Sequence, residues 1–202
     1  MSFRSALIAG AFAAAVSPAA AETFKVDITH SSFVFSANHI GYTNVFGLFR
    51  DWEGEFTFDQ KAPDQAKVKI TVKADSVDTN DRRLQANGGI RGRDEHLRSA
   101  DFFNAKEFPT FTFESTKVEK TGEKTGKLHG NITLLGVTKP VVFDVTFNKV
   151  APHPVPAYKG VLTAGFTIRG TIKRTDWGMK TAVPAISDDV TLYIEIEAQE
   201  KK

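Results

Sequence analysis

Apolar and polar residues alternate along most of this chain, and this period of two limits its fold more than any other feature. The clearest example lies between Lys67 and Lys73, where Val68, Ile70 and Val72 share one face while lysines and a threonine share the other. Such alternation predicts a β-strand with one buried face. The pattern recurs about eight or nine times between short turns, without the long crossover segments that parallel strands need. The sequence therefore predicts an antiparallel all-β fold.

A single sheet of so many strands has to close on itself or split into two layers. Because each predicted strand has one apolar and one charged face, the apolar faces enclose the interior and the charged faces meet water. The smallest closed solution is a barrel of about eight strands, whose interior is either filled by side chains or holds one ligand. A β-sandwich is the alternative architecture.

The predicted inward positions are rich in phenylalanine, of which the chain has 17 against 3 tyrosines and 2 tryptophans. A small barrel has little room for so many rings, so the composition favours an apolar tunnel over a filled core. If the barrel is filled instead, the same side chains form its core. The predicted lining residues are Phe33, Phe35, Phe56, Phe58, Ile70, Val72, Phe111, Phe113, Ile132, Leu134, Phe143, Phe166 and Ile168.

One segment, residues 91–109 (RGRDEHLRSADFFNAKEFP), breaks the alternation. Its crowded charges and large apolar residues predict a short helical element that closes one end of the barrel. We interpret most of its charges as a structural network, in which Arg93 and Arg98 hold Asp94, Glu95 or the nearby Asp78. The alternative is a lid whose arginine or histidine donates a hydrogen bond to the polar head of a ligand. The residues predicted to shape the mouth of the tunnel in this way are Arg93, Asp94, His96, Arg98, Phe102 and Phe103.

Composition excludes several classes of function. The formal net charge is only +2, which gives no electrostatic reason to expect nucleic-acid binding. The chain has no cysteine, which rules out disulfides, thiolate catalysis and a cysteine-ligated metal. No two histidines stand at a metal-ligand spacing, so we predict no metal site. The five histidines, interpreted as unrelated, are His30, His39, His96, His129 and His153.

Asp94, His96 and Ser99 supply the residue types of a hydrolytic triad. The chain has no Gly-x-Ser-x-Gly motif, however, and three residues on one short segment rarely reach triad geometry. We therefore predict no catalytic residue and no enzymatic activity, and keep a lipid hydrolase as an alternative.

The first 21 residues have the pattern of an export signal. Arg4 provides a positive start, residues 6–16 form a short apolar run, and Ala19, Ala20 and Ala21 supply the small residues of a cleavage site. We expect cleavage after Ala21 and a mature single domain over residues 22–202. No later apolar run has the length of a membrane-spanning helix.

Five motifs together resemble the YceI family, bacterial polyisoprenoid-binding proteins with a lipocalin-like fold. They are HSSFVFSANHIGYTNVFGLFRDWEGEFTFD at 30–59, SVDTN at 76–80, RDEHLRSADFFNAKEFPTFTFEST at 93–116, GNITLLGVTKPVVFDVTF at 130–147 and RTDWGM at 174–179. The resemblance implies an extended eight-stranded antiparallel barrel, lipocalin-like, with a short helical element at one end and a long apolar pore. Residues 83–92 depart from the family pattern as a glycine-rich insertion.

The resemblance also implies a function: a soluble periplasmic binder or carrier of long-chain polyisoprenoid lipids, such as an isoprenoid quinone or a polyprenyl alcohol or phosphate. We expect that lipid as the ligand and no other cofactor, no nucleic-acid partner and no stable membrane insertion. Transient contact with a membrane and pairing into a homodimer stay open. A stress-related periplasmic interaction protein with a filled barrel is the remaining alternative.

Overall fold

The computed structural model describes residues 21–81 and 92–201; all but the last residue of the predicted export signal and all but the last residue of the 83–92 insertion lie outside this part of the chain. The strands are β1 Glu22–Val26, β2 Ser32–His39, β3 Thr43–Phe49, β4 Trp52–Phe58, β5 Lys67–Lys73, β6 Val77–Asp78, β7 Thr110–Lys120, β8 Thr125–Leu134, β9 Val137–Pro152, β10 Leu162–Lys173 and β11 Ile186–Glu200. One α-helix, α1, spans Arg93–Arg98, and single 3-10 turns lie at Pro63–Gln65, Ala74–Ser76, Pro156–Tyr158 and Arg174–Trp177.

These eleven segments form one antiparallel sheet that closes into a barrel. The ring runs β1-β4-β5-β7-β8-β9-β10-β11 and is closed because β11 also pairs with β1, where Phe24 lies opposite Glu200. The predicted eight-stranded antiparallel barrel is therefore confirmed, and the β-sandwich alternative is wrong.

Three of the eight barrel strands are each built from two segments: β1 with β2, β3 with β4, and β5 with β6. The long strand β11 pairs with β2 along its first part and with β1 along its last part. In the same way β2 pairs with β3, and β3 pairs with β6. The break between β1 and β2 falls at residues 27–31, where the apolar positions change from one parity to the other. This corner lets one strand turn with the twist of the barrel.

Alternating burial follows the sequence pattern closely. In β4, the inward positions Trp52, Phe56 and Phe58 are buried, while the glutamates between them are exposed. Inward glycines make room for large neighbours: a Cβ on Gly130 would lie 2.3 Å from Phe113 Cζ. A glycine on one strand thus leaves space for a phenylalanine ring on the neighbouring strand, which allows a narrow barrel to hold many phenylalanines.

The helix α1 is fastened to the end of the sheet by arginines that donate to backbone carbonyl groups. Arg98 donates to the carbonyl oxygens of Asp75 (2.7 Å) and Val77 (2.9 Å). Arg93 donates to the carbonyl oxygen of Thr79 (2.7 Å). A guanidinium offers five N–H donors, so it can satisfy several carbonyl groups at the end of a strand. The predicted helical element at one end of the barrel is therefore confirmed.

The carboxylates that we predicted as partners of these arginines have other partners. Asp94 Oδ1 accepts a hydrogen bond from the backbone N–H of Thr79 (3.0 Å). Asp78 pairs with Arg50 (2.9 Å). The hydrogen bonds of the two guanidinium groups described here therefore go to backbone carbonyl groups of residues 75–79, and Arg98 interacts with the predicted partner Asp78 through charge alone.

Aromatic side chains close the barrel beneath α1. Phe103 lies edge to face with Phe49, with ring centroids 5.4 Å apart, and stacks with Phe111 at 6.3 Å. Trp177 is buried at the same end and donates its indole N–H to the carbonyl oxygen of Ile132 (3.1 Å). This end of the barrel is consequently filled with side chains.

None of the helices in residues 21–81 and 92–201 combines the length and apolar character needed to cross a bilayer.

Candidate functional site

The interior of the barrel contains a cavity of about 330 Å³. Side chains from all eight strands of the ring line it, and nearly all of them in its interior are aliphatic or aromatic. Among the wall residues that the structure describes, the charged ones lie at one end of the cavity. Such an interior removes the apolar surface of a bound molecule from water.

Most of the residues predicted to line a tunnel are brought together at this cavity. They are Phe33, Phe56, Phe58, Ile70, Val72, Phe111, Phe113, Ile132, Phe143, Phe166 and Ile168. That these side chains touch a ligand stays a prediction.

Phe35 and Leu134 lie outside the cavity wall, contrary to our expectation. The ring of Phe35 packs on Phe49 at 5.5 Å and lies over Gly47, beyond the closed end of the cavity. Leu134 is buried at the last position of β8, two residues past Ile132. Both side chains point inward as the alternation predicts, but a period of two carries no information about depth along the barrel axis.

Several lining residues were not among the predicted ones. Trp52, Val68 and Val145 have the same parity as predicted neighbours on their strands, and Ile194 follows the same alternation on β11, a strand from which no lining residue was predicted. The alternation could therefore have identified all four. Polar residues of the wall come from turns, where no periodic signal exists.

The cavity reaches solvent at the end of the barrel opposite α1. Its wall there includes the exposed Gln60, from the β4–β5 connection, and the exposed Lys120, Glu123 and Lys124, from the β7–β8 hairpin. We call this set, together with Glu119 and Thr125, the rim. The strand β7 shows that these are opposite ends of the barrel, because it starts beside Lys73 near α1 and finishes at the rim.

The structure places the α1 segment, which was predicted to shape the mouth, away from this opening. The segment packs on the filled end, while the opening lies at the other end of the same strands. None of its predicted mouth residues lines the cavity: Arg93, Asp94, His96, Arg98, Phe102 and Phe103.

The rim carries charges of both signs, from Lys120 and Lys124 and from Glu119 and Glu123. Glu119 is bound to Lys117 (2.9 Å), and this hydrogen bond holds the pKa of the Glu119 carboxyl below its ordinary value. Lys120 and Lys124 form no ion pair with any residue of the described ranges. Because Lys117 offsets Glu119, the two ammonium groups outnumber the Glu123 carboxylate at the entrance, and this balance favours a ligand with a polar or anionic end.

Ring contacts give the wall a defined shape. Phe166 lies edge to face with Phe56 (5.5 Å between centroids) and with Phe58 (5.1 Å). Phe33 makes the same kind of contact with Phe111, at 6.1 Å. Such contacts are worth about 0.5–1.5 kcal/mol each beyond area burial, so the rings hold one another in place around the cavity.

The three residues that resembled a hydrolytic triad do not assemble into one. Ser99 Oγ donates to the carbonyl oxygen of His96 (2.7 Å), whereas the His96 ring binds Asp101 (2.9 Å). Asp94 is engaged by Thr79 on the other side of the helix. A nucleophile needs a base within hydrogen-bond reach, and no base of the described ranges is bonded to Ser99 Oγ.

Comparison with known proteins agrees with this architecture. The YceI-like domain family matches residues 24–198. A UPF0312 protein of Photorhabdus laumondii subsp. laumondii is 38% identical over 198 residues, which is 97% of this chain and 96% of that protein. The crystal structure of the YceI protein of Campylobacter jejuni has a TM-score of 0.70 at 35% identity, over 82% of this chain and 90% of that one.

A more distant structure shares the fold alone. It is a polyisoprenoid binding domain from Saccharophagus degradans implicated in plant cell wall breakdown, with a TM-score of 0.62 at 12% identity, over 88% of this chain and 98% of that one. The family match covers residues 24–198, and the identity to the Photorhabdus relative extends over 97% of this chain. The chain therefore belongs to the YceI-like domain family.

Proposed function

We propose that this protein binds a long isoprenoid lipid, holding the apolar tail in the barrel cavity and the polar head at the rim. The observation that carries the proposal is the cavity itself, apolar in its interior and open at one end. The Saccharophagus degradans domain, described as polyisoprenoid binding, supports the same class of ligand.

The energetics favour an apolar occupant. An engineered cavity of about 150 Å³ lined by Leu, Ile and Phe stays free of water and binds benzene. The cavity here is larger, at about 330 Å³, and falls within the range of about 300–1,000 Å³ typical of ligand pockets. Each methylene transferred from water into it contributes about 0.8 kcal/mol. A few prenyl units therefore outweigh the entropy lost on binding without any specific polar contact.

The rim sets the direction of the ligand. Lys120, Lys124 and Gln60 can donate hydrogen bonds to the carbonyl oxygens of a quinone or to the oxygens of a polyprenyl phosphate. The opposite end is filled by Phe103, Trp177 and their neighbours. A lipid would consequently enter tail first from the β7–β8 side.

We propose a binding or carrier role rather than catalysis. The names of the relatives reported above include no enzymatic activity, and Ser99, His96 and Asp94 each have separate partners. The cavity argues against a filled barrel that serves only as a stress-related interaction surface. Lipid hydrolysis and the filled barrel are thus less well supported than lipid binding.

The site of action that we propose is the periplasm. The export signal read from residues 1–21 supports this, and a periplasmic carrier would need to shield an isoprenoid chain from water between membranes. Amino-terminal sequencing of the protein from a periplasmic fraction tests the location; we expect it to begin at Glu22.

Purification from the native periplasm followed by solvent extraction and mass spectrometry tests the ligand. We expect a prenyl lipid in the extract of the folded protein and none in the extract of an unrelated periplasmic protein purified in the same way. The stripped protein should then take up an isoprenoid quinone or a polyprenyl phosphate. Absence of prenyl lipid in the extract, together with no uptake of either added lipid, would reject the proposal.

A further inference from the structure

Outside the barrel, three metal-ligating side chains meet where the corner between β1 and β2 crosses β11. Asp27 and His30 lie on the corner, and Glu197 points outward from β11. The His30 Nδ1 atom is 2.8 Å from Asp27 Oδ2 and 3.9 Å from Glu197 Oε1, and all three atoms lie within 4.8 Å of one another. Among the described residues, this is the one group of three such side chains whose donor atoms converge.

The backbone holds this group together independently of its charges. The amide of Asp27 donates to the carbonyl oxygen of Glu197 (2.9 Å), and the amide of Glu197 donates to Ser31 Oγ (2.9 Å). Ser31 Oγ in turn donates to the carbonyl oxygen of Glu197 (3.0 Å). The corner is therefore bound to β11 on both sides of the cluster, and the donor atoms are arranged before any ligand arrives.

A second contact orients the Asp27 carboxylate. Its Oδ1 atom accepts the backbone N–H of Thr29 (2.9 Å), which turns Oδ2 toward His30. Metal-binding carboxylates commonly have one oxygen fixed by such an outer hydrogen bond.

Glu197 Oε1 is buried from solvent and accepts no hydrogen bond. It faces His30 Nδ1 at 3.9 Å and His153 Nε2 at 3.5 Å. Buried polar atoms are nearly always hydrogen bonded, and leaving a carboxylate oxygen without a partner is costly. This oxygen is aimed into the cluster, so a cation placed there would satisfy it.

The side chain of His153 lies beside the cluster and faces Glu197. Its Nδ1 atom accepts the backbone N–H of Val155 (3.2 Å), and its ring packs against the Tyr158 ring at an angle of 31°, with 3.9 Å between centroids. Since Nδ1 is the acceptor, the proton of the neutral ring lies on Nε2, the atom that faces Glu197. His153 is consequently a positioning residue for the Glu197 carboxylate rather than a ligand.

We propose that Asp27 Oδ2, His30 Nδ1 and Glu197 Oε1 bind a divalent transition-metal ion such as Zn²⁺. Two carboxylates neutralise the ion, and imidazole and carboxylate are both established zinc ligands. Bond lengths of about 2.1 Å in tetrahedral geometry put ligand atoms about 3.4 Å apart, so the side chains need to shift by about 1 Å. Three protein ligands leave one position for water or for an external group.

The ion would connect two segments that close the barrel. Asp27 directly follows β1, and Glu197 lies on β11, the strand with which β1 completes the ring. Binding would therefore stabilise the folded chain over the unfolded chain, because residue 197 is far from residues 27 and 30 once the chain unfolds.

Titration calorimetry of the untagged mature protein with zinc chloride tests this site. We expect one saturable equivalent and a melting temperature that rises with zinc concentration. Glu197→Gln and His30→Ala should each weaken binding at least tenfold, and His153→Gln should weaken it by about tenfold through the orientation of Glu197. The matched control is His39→Ala, an exposed histidine outside the cluster, which should bind zinc as the parent does.

Zinc X-ray absorption of the unmutated protein supplies a readout that does not depend on how a variant folds. We expect a first shell of nitrogen and oxygen with the signature of one imidazole. No saturable binding, equal binding by the parent, Glu197→Gln and His30→Ala, or a shell without imidazole would overturn the proposal.

Discussion

Trp52 meets Phe33 edge to face at the wall of the barrel cavity, with ring centroids 6.0 Å apart. The chain has 2 tryptophans, and the second, Trp177, is buried among other residues near α1. Any molecule that fills the cavity would change the surroundings of Trp52 and leave those of Trp177 as they are.

We therefore expect the tryptophan emission to change when an isoprenoid quinone is titrated into the stripped protein. The variant Trp52→Phe should lose this change and still retain lipid, as measured by extraction. Trp177→Phe should keep it. A signal that survives Trp52→Phe would mean that the lipid binds somewhere else.

A large side chain placed in the cavity should weaken lipid binding. Val145 and Val142 lie on the same strand, but Val145 lines the cavity and Val142 is 50% exposed on the outside. We expect Val145→Trp to lower lipid affinity at least tenfold, because the indole occupies space that the tail needs. Val142→Trp introduces the same side chain into solvent and should bind normally. Lipid retention after gel filtration measures both variants, and equal retention would contradict a ligand inside the barrel.

The two rim lysines should distinguish head groups. Replacing Lys120 and Lys124 together by alanine removes charges that face solvent, and exposed charge pairs are worth about 0.2–1 kcal/mol each. We expect the affinity for a polyprenyl phosphate to fall several-fold and the affinity for the corresponding polyprenyl alcohol to stay nearly unchanged. Lys139→Ala, an exposed lysine of β9 outside the rim, is the control. Equal losses for the two lipids would place the head group away from these lysines.

A buried arginine near α1 should be important for stability. Arg174 is 4% exposed and donates to the carbonyl oxygens of Met179 (2.9 Å), Ile186 (3.0 Å) and Ser187 (2.9 Å). Arg174→Ala leaves these acceptors without a donor and should cost about 3 kcal/mol of unfolding free energy. Arg50→Ala removes an exposed pair with Asp78 and should cost less than about 1 kcal/mol. Urea unfolding measures the unfolding free energy of both variants. Similar losses in the two would contradict a larger contribution of Arg174 to stability.

Stability should fall at low pH partly through Asp188. The backbone N–H of Thr175 donates to Asp188 Oδ1 (2.9 Å), and this bond lowers the pKa of the carboxyl below its ordinary value of 3.8. A depressed folded-state pKa stabilises the protein above the unfolded-state pKa, and this contribution is lost as the pH falls through the folded-state value. The advantage of the parent over Asp188→Asn should therefore be largest near neutral pH and shrink below about pH 3.8. Melting curves of both proteins across this range check the trend, and a constant difference would contradict it.

Local pattern predicted most of the architecture. The alternation of apolar and polar residues identifies which side chains of β4, β5 and β11 point inward, because successive side chains of a strand face opposite sides. The change of parity at residues 30–32 marks the corner between β1 and β2. The segment at residues 91–109 departs from the alternation, and the structure has its α-helix there.

The alternation does not tell how far along the barrel axis a side chain lies. Phe33 and Phe35 have the same parity, yet Phe33 lines the cavity and Phe35 packs beyond its closed end. Likewise, no local feature of residues 91–109 tells whether α1 sits at the open or the filled end. Both depend on which strands pair and in what register.

The sequence by itself determined the all-β class, the inward faces of the strands, the apolar interior and the family, since these follow from residue type and short-range spacing. Only the tertiary structure decided where the cavity opens and that Asp27 and His30 meet Glu197 across about 170 residues of chain. The closure of β1 on β11 creates that meeting. Contacts across such a distance arise from strand register, which a period of two leaves open to any even shift.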